Sequence, residues 1–177
     1  MKTRNLLSTL IIIGVLIFIS CGTPRMVYDF DKEADFTRYT SFDFYPDLQI
    51  FMSPFDSTRV IEQFEKALLI KGVKRTSKPD LYVNIVSEQF ETPIRNSVGI
   101  GVGGTGRNVG VGIGGQIPLE SNTITQVFTI EFIDVAKDLL VWQCTYQGRF
   151  TKNMAPNEKE AYFKGVFDKV LSEYPPR

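Results

Sequence analysis

Residues 124–150, ITQVFTIEFIDVAKDLLVWQCTYQGRF, decide the fold. Phe128, Ile130 and Phe132 recur at every second position. After a short connection, Val135 to Asp138, the same period returns in Leu140, Trp142, Cys144 and Tyr146. Side chains two apart on a strand share one face of the sheet. The stretch therefore predicts a β-hairpin with one buried face. Trp142 belongs to that face and is expected in the core, with Cys144 as a small apolar neighbour. Asp134 and Asp138 flank the turn, where aspartate serves the backbone, so they are not read as a catalytic or metal-binding pair.

Working outward, Pro79-Asp80 is turn chemistry, and Leu81, Val83 and Ile85 alternate into another strand. Before it, Val60, Ile61, Phe64, Ala67 and Leu68 fall at helical spacing. Asp56 is expected to cap that helix and Gly72 to stop it. Its single apolar stripe predicts a helix lying on a sheet. Residues 26–30 place Met26, Tyr28 and Phe30 on one strand face, and residues 39–45 alternate through Phe42 and Phe44. Downstream, Asn157 with Glu160 resembles a capping box. A second helix then runs through Phe163, Val166, Phe167, Val170 and Leu171 until Pro175-Pro176 ends it. The order of elements predicts an α+β domain: a mainly antiparallel sheet with two helices packed on one face.

Residues 98–115, VGIGVGGTGRNVGVGIGG, interrupt this pattern. Gly101, Gly103 and Gly106 match G-x-G-x-x-G literally, but a dinucleotide site needs a helix opening directly after the glycines. Here the period of two continues instead. The segment is expected to form a glycine-rich β-hairpin insertion, 98–103 and 109–114, turning through Gly104 to Asn108. Gly99, Gly101, Gly103, Gly110, Gly112 and Gly114 would leave bare backbone that a partner could approach closely. A slack connection between two sheet strands is the alternative.

The N-terminus reads as a targeting segment. Lys2 and Arg4 precede an almost wholly apolar run over residues 6–19. That run is shorter than the roughly 20 residues of a membrane span and suits a signal-peptide core. Phe18-Ile19-Ser20-Cys21, followed by Gly22, resembles the lipobox of bacterial lipoproteins. Residues 1–20 are thus expected to be a signal peptide, and 21–177 a single periplasmic domain whose Cys21 carries diacylglyceryl and palmitate-type chains. Residues 22–25 (GTPR) hold no acidic side chain. By analogy with lipoprotein sorting, the expected location is the inner leaflet of the outer membrane.

Composition narrows the chemistry. There is no histidine, which removes the usual triads, imidazole acid–base catalysis and most zinc sites. No cofactor or metal is expected. Without Lys2 and Arg4, 18 basic side chains face 20 acidic ones, and no basic patch points to nucleic acid. The two cysteines are Cys21 and Cys144, so a lipidated Cys21 leaves no internal disulfide. Glu158 and Glu160 suit the start of a helix.

Four stretches together resemble one family of exported bacterial lipoproteins, domain of unknown function 4136. They are Val27 to Asp31 with Ala34-Asp35-Phe36 and Tyr39 to Phe42; Pro79 to Val83; the central glycine-rich insertion; and Phe128 to Asp134 with Leu140-Val141-Trp142. Gln126 and Glu131 stand where the family usually has Gly and Asp, and Gln143-Cys144 replaces its Arg-Gly. The resemblance implies an α+β domain facing the periplasm and supplies no activity. The expected function is a membrane-anchored, non-enzymatic envelope lipoprotein that binds an envelope protein, peptidoglycan or lipid. A structural subunit of an envelope complex is the alternative.

Overall fold

A computed structural model describes residues 24–91 and 122–176. The strands are β1 (Arg25–Phe30), β2 (Ser41–Phe44), β3 (Gln49–Ile50), β4 (Lys74–Arg75), β5 (Leu81–Glu91), β6 (Thr123–Asp134) and β7 (Leu139–Thr151). The α-helices are α1 (Pro54–Ile70) and α2 (Pro156–Val170). Short 3-10 turns follow β1 at Phe36–Arg38 and α2 at Leu171–Glu173.

All seven strands form one sheet in the order β1-β7-β6-β5-β2-β4, with β3 pairing β5 off that path. β1, β7, β6 and β5 are antiparallel neighbours. β2 and β3 run parallel to β5, and β4 parallel to β2. The sheet is therefore mixed, not mainly antiparallel. The reason lies in the connection: α1 carries the chain back along the sheet before β4 and β5, so they re-enter in the direction of β2. A parallel pairing needs such a crossover.

The hairpin forms where the alternation predicted it. Burial alternates without a break along β6, from Ile124 to Asp134. Phe128, Ile130 and Phe132 are fully buried, as are Trp142 and Cys144. One position departs from the expected face. Phe132 pairs with Trp142 but Ile133 pairs with Leu140, so β7 carries an extra residue, Val141, in a bulge. The bulge shifts the register, leaving Leu140 46% exposed and Val141 1% exposed.

Both helices pack on the face carrying Phe128 and Phe132. Phe64 of α1 meets Phe132 and Phe167 edge-on, and Phe163 and Phe167 of α2 meet Phe128. T-shaped rings at these separations add about 0.5–1.5 kcal/mol per pair beyond area burial. The helix starts differ from expectation. Ser53 caps α1, its hydroxyl accepting the Asp56 amide, while Asp56 sits three positions inside. In α2 Pro156 is the first helical residue, and the Glu158 carboxylate accepts the Ala155 amide. Asn157 and Glu160 are not the capping pair. The stop is as read: Gly72 follows α1 with φ +85°, a conformation that glycine adopts at no steric cost.

Candidate functional site

The residues singled out as functional in the sequence are Cys21 and Gly99, Gly101, Gly103, Gly110, Gly112 and Gly114. All lie outside the described residues. Their flanking positions do not, and the topology gathers them. Arg25 pairs with Gln147, Glu91 with Ile124, and Thr123 with Thr151. The start of β1, the end of β5, the start of β6 and the end of β7 thus share one end of the sheet. The chain leaves that end toward Cys21 and toward the glycine-rich segment. Because β3 runs parallel to β5 and leads into α1, and β7 leads into α2, both helices also begin there.

A charged pin holds the two helix starts together. Asp56, 5% exposed, accepts the Ser53 hydroxyl at 2.9 Å, Arg59 Nη1 at 2.8 Å and Lys159 Nζ at 2.8 Å. Ser53, Asp56 and Arg59 belong to α1 and its cap; Lys159 reaches across from α2. Burial opposes ionisation of Asp56, but the hydrogen bonds from Lys159 and Ser53 outweigh it and hold the carboxyl below the usual range. Lys152 of β7's exit meets Glu91 of β5 at 2.6 Å across this end. Asp56 is thereby satisfied by Ser53, Arg59 and Lys159, whereas the Lys152–Glu91 pair is exposed to solvent.

The same end exposes three large aromatic side chains. Phe51 is 64%, Phe55 78% and Phe90 51% exposed. Sequence reasoning missed them, although a signal existed. Phe55 lies five residues before Val60, roughly 140° off the apolar stripe of its helix. Phe90 breaks the inward series Leu81, Val83, Ile85, Ser87 by falling on the opposite parity.

Asp134, Asp138 and Asp80 serve turns and strand starts. Asp134 Oδ1 accepts the amides of Ala136 and Lys137, and Oδ2 accepts the Tyr39 hydroxyl at 2.8 Å. Burial opposes its ionisation, but the Tyr39 bond and those amides hold its carboxyl below the usual range. Asp138 occupies the turn with φ 54°, which aspartate tolerates. Asp80 Oδ2 accepts the amides and hydroxyls of both Thr40 and Ser41, tying the start of β2 to the turn before β5. Among the described residues, no three His, Cys, Asp or Glu side chains gather to hold a metal.

Among the described residues, clefts open at the other end or along the β1 edge. One of about 360 Å³ lies between Tyr28 and Phe30 and the segment Ser172 to Pro176. One of about 210 Å³ lies between Asp29 to Asp31 and Leu140 to Gln143. One of about 150 Å³ lies beside Tyr39, Asp80 and Asp134. None pairs a nucleophile with a base in hydrogen-bond reach. Cys144 faces none of them and is buried, and burial, with Glu173 nearby, pushes its thiol up to about 12.

One mixed sheet with two helices on one face, and a long insertion between adjacent strands, defines a two-layer α/β domain. The chain matches the family described as Domain of unknown function (DUF4136) over residues 26–176, and it belongs to that family. Solved structures with this fold include a PelC dodecamer from Paraburkholderia phytofirmans. It has 12% identity and a TM-score of 0.53, over 88% of this chain and 100% of that one. A PDZ domain protein from Parabacteroides distasonis has 15% identity and a TM-score of 0.51, over 92% of this chain and 39% of that one. A DUF4136 family protein from Bacteroides thetaiotaomicron has 11% identity and a TM-score of 0.49, over 88% of this chain and 97% of that one. Among curated proteins, no sequence match is found.

Proposed function

We propose that this protein is a non-enzymatic envelope lipoprotein, held to a membrane through a lipid on Cys21. The observation that carries the reading is the position of Arg25. It opens β1 four residues after Cys21, so the folded domain begins almost at the acylated residue. At about 3.5 Å per residue the tether spans roughly 14 Å at most. Two or more acyl chains anchor stably where one is marginal. A tether this short keeps the domain beside the headgroups and presents its binding surfaces there.

Residues 98–115 are proposed as a glycine-rich hairpin whose bare face meets an envelope partner. β5 and β6 are adjacent antiparallel strands, and the segment between them leaves from the tethered end. The location that fits residues 22–25 is the inner leaflet of the outer membrane, facing the periplasm. A second reading, a structural subunit of an envelope assembly, draws on the fold shared with a protein described as a dodecamer.

The decisive experiment is metabolic labelling with palmitate. The wild-type chain takes up label and fractionates with membranes, whereas Cys21→Ala does neither. Equal label in both chains refutes the anchor.

A further inference from the structure

We infer that the end of the sheet bearing Phe51, Phe55 and Phe90 rests on the lipid bilayer, its three rings seated in the headgroup–acyl boundary. This rests on the anchor at Cys21 and adds to it a membrane-contact surface and an orientation. Two independent observations meet at this end. The first is the covalent path: Arg25 marks where the chain departs for Cys21, and Arg25, Glu91 and Thr123 lie at the same end of their strands. The second is exposure. Phe51, Phe55 and Phe90 stand 64%, 78% and 51% exposed.

The three side chains come from separate elements that share one end of the sheet, Phe55 on the helix layer and Phe90 on the sheet face away from it. β3 aligns Ile50 with Ser87 of β5, so Phe51, the next residue, comes level with Glu88, two positions short of Phe90. Phe55 lies in the first turn of α1, which starts at this end. Exposed phenylalanines raise the free energy of a freely soluble surface, since each ring could bury an area worth keeping from water. An aromatic set beside a tether of about 14 Å is within reach of the bilayer without any change in the fold.

Exposure alone does not choose this end. Leu69 and Ile70 close α1 at the opposite end, and Leu139 and Leu140 lie there too, all at least 46% exposed. α1 has 17 residues, so about 25 Å separates its two ends. A tether of about 14 Å therefore selects the phenylalanine end and leaves the leucine and isoleucine end in water. The contact is apolar rather than electrostatic. Among the described residues at this end, the charges of Lys152 and Arg59 are met by Glu91 and Asp56, while Phe51, Phe55 and Phe90 supply apolar area to the bilayer.

The test uses the full acylated chain in phosphatidylethanolamine–phosphatidylglycerol vesicles, with and without brominated acyl chains. Separate chains carry Phe55→Trp, Phe90→Trp or, at the far end, Ile70→Trp. Native Trp142 is fully buried and supplies a constant background. An apolar surface of this kind sits roughly 5–10 Å into the boundary, so the Phe55→Trp and Phe90→Trp indoles should lose about half their added emission to the bromines. The Ile70→Trp indole keeps its emission. Equal quenching at both ends, or none at Phe55 and Phe90 in chains that float with the vesicles, overturns the orientation and leaves the anchor standing. Chains that do not float overturn the anchor and this orientation with it. Blue-shifted emission from Phe55→Trp without lipid, rising with protein concentration, assigns the patch to a second copy and overturns the membrane contact.

Discussion

Asp56→Asn should cost this domain about 3 kcal/mol at neutral pH, and the cost should disappear in acid. The substitution keeps the shape of the side chain and its contact with Ser53 but removes the charge shared by Arg59 and Lys159. Removing one partner of a buried pair costs roughly 3–5 kcal/mol, because the other charge is stranded. The low end applies here. The side chains of Arg59 and Lys159 remain 19% and 18% exposed against 7% for Asp56, so the stranded cations can turn toward water. Lost attraction to the α1 N-terminus contributes roughly 0.3–1 kcal/mol of the total. In a domain of this size about 3 kcal/mol lowers Tm by roughly 6–12 °C. The pH dependence follows from the lowered carboxyl pKa. A group held below its unfolded value contributes fully above that value, about 3.9, and loses its contribution as pH falls through the folded value. Urea unfolding of both chains, followed by circular dichroism from pH 7 downward, should show two midpoints that converge below pH 4. Pairing with Lys159→Met in a double-mutant cycle should give a coupling of at least about 1 kcal/mol. A gap under about 0.5 kcal/mol at pH 7 would refute the pin between the helices. So would a gap that stays constant as the carboxylates protonate.

Trp142→Ala should cost about 3–5 kcal/mol, since the indole is fully buried with ring centroids 4.8 Å from Phe132 and 5.6 Å from Tyr174; a small shift in the unfolding midpoint would contradict a purely core role. The Cys144 thiol, pushed up to about 12 by burial, should stay unreactive toward an aromatic disulfide reagent at pH 8 until the domain unfolds; rapid labelling of the folded chain would show an open path to β7. Replacing residues 92–122 with a short glycine-containing turn should leave the fold intact and raise its stability by up to about 2 kcal/mol, read as a higher urea midpoint; loss of folding would show that the segment supplies core.

The sequence carried most of the core because the buried face of each long strand repeats at period two. Phe128, Ile130, Phe132, Trp142 and Cys144 announce their face without help from the rest of the chain. Leu140 fooled the pattern because it sits in an unbroken apolar run, Leu139 to Trp142, and only the pairing with Ile133 shows where the extra residue falls. The helix starts misled for a related reason. Asp56 and Asn157 are good capping residues by type, but Pro54 and Pro156 occupy the first helical position and set the caps one residue earlier, at Ser53 and Ala155. Two-residue strands such as Gln49–Ile50 and Lys74–Arg75 are too short for any period to register. Parallel pairing of β2 with β5 depends on where α1 returns the chain, which no local pattern records. The candidate site was legible only in part. The lipobox-like motif singled out Cys21 and the period-two alternation singled out the glycines, all outside the described residues, whereas Phe51, Phe55 and Phe90 become a group only once the topology brings three elements to one end.

That convergence follows from strand direction. β5 and β7 run one way and β6 and β1 the other, so every connection at the end of β5 shares a side with the start of β1. The insertion sits between two strands that pair over eleven positions, Leu81 with Asp134 through Glu91 with Ile124. Such a pair closes its own ladder and needs only a turn between its ends. Lengthening the turn to residues 92–122 takes roughly three doublings of loop length, each costing about 0.6 kcal/mol. The β5–β6 ladder and the packed aromatic core beneath it are ample to carry that cost. The fold therefore permits the glycine-rich segment without requiring it, and a segment that a fold does not require is free to serve whatever lies beyond it. Its exit after Glu91, at the end of the sheet where β1 starts and where Phe51, Phe55 and Phe90 stand exposed, directs that search to this end.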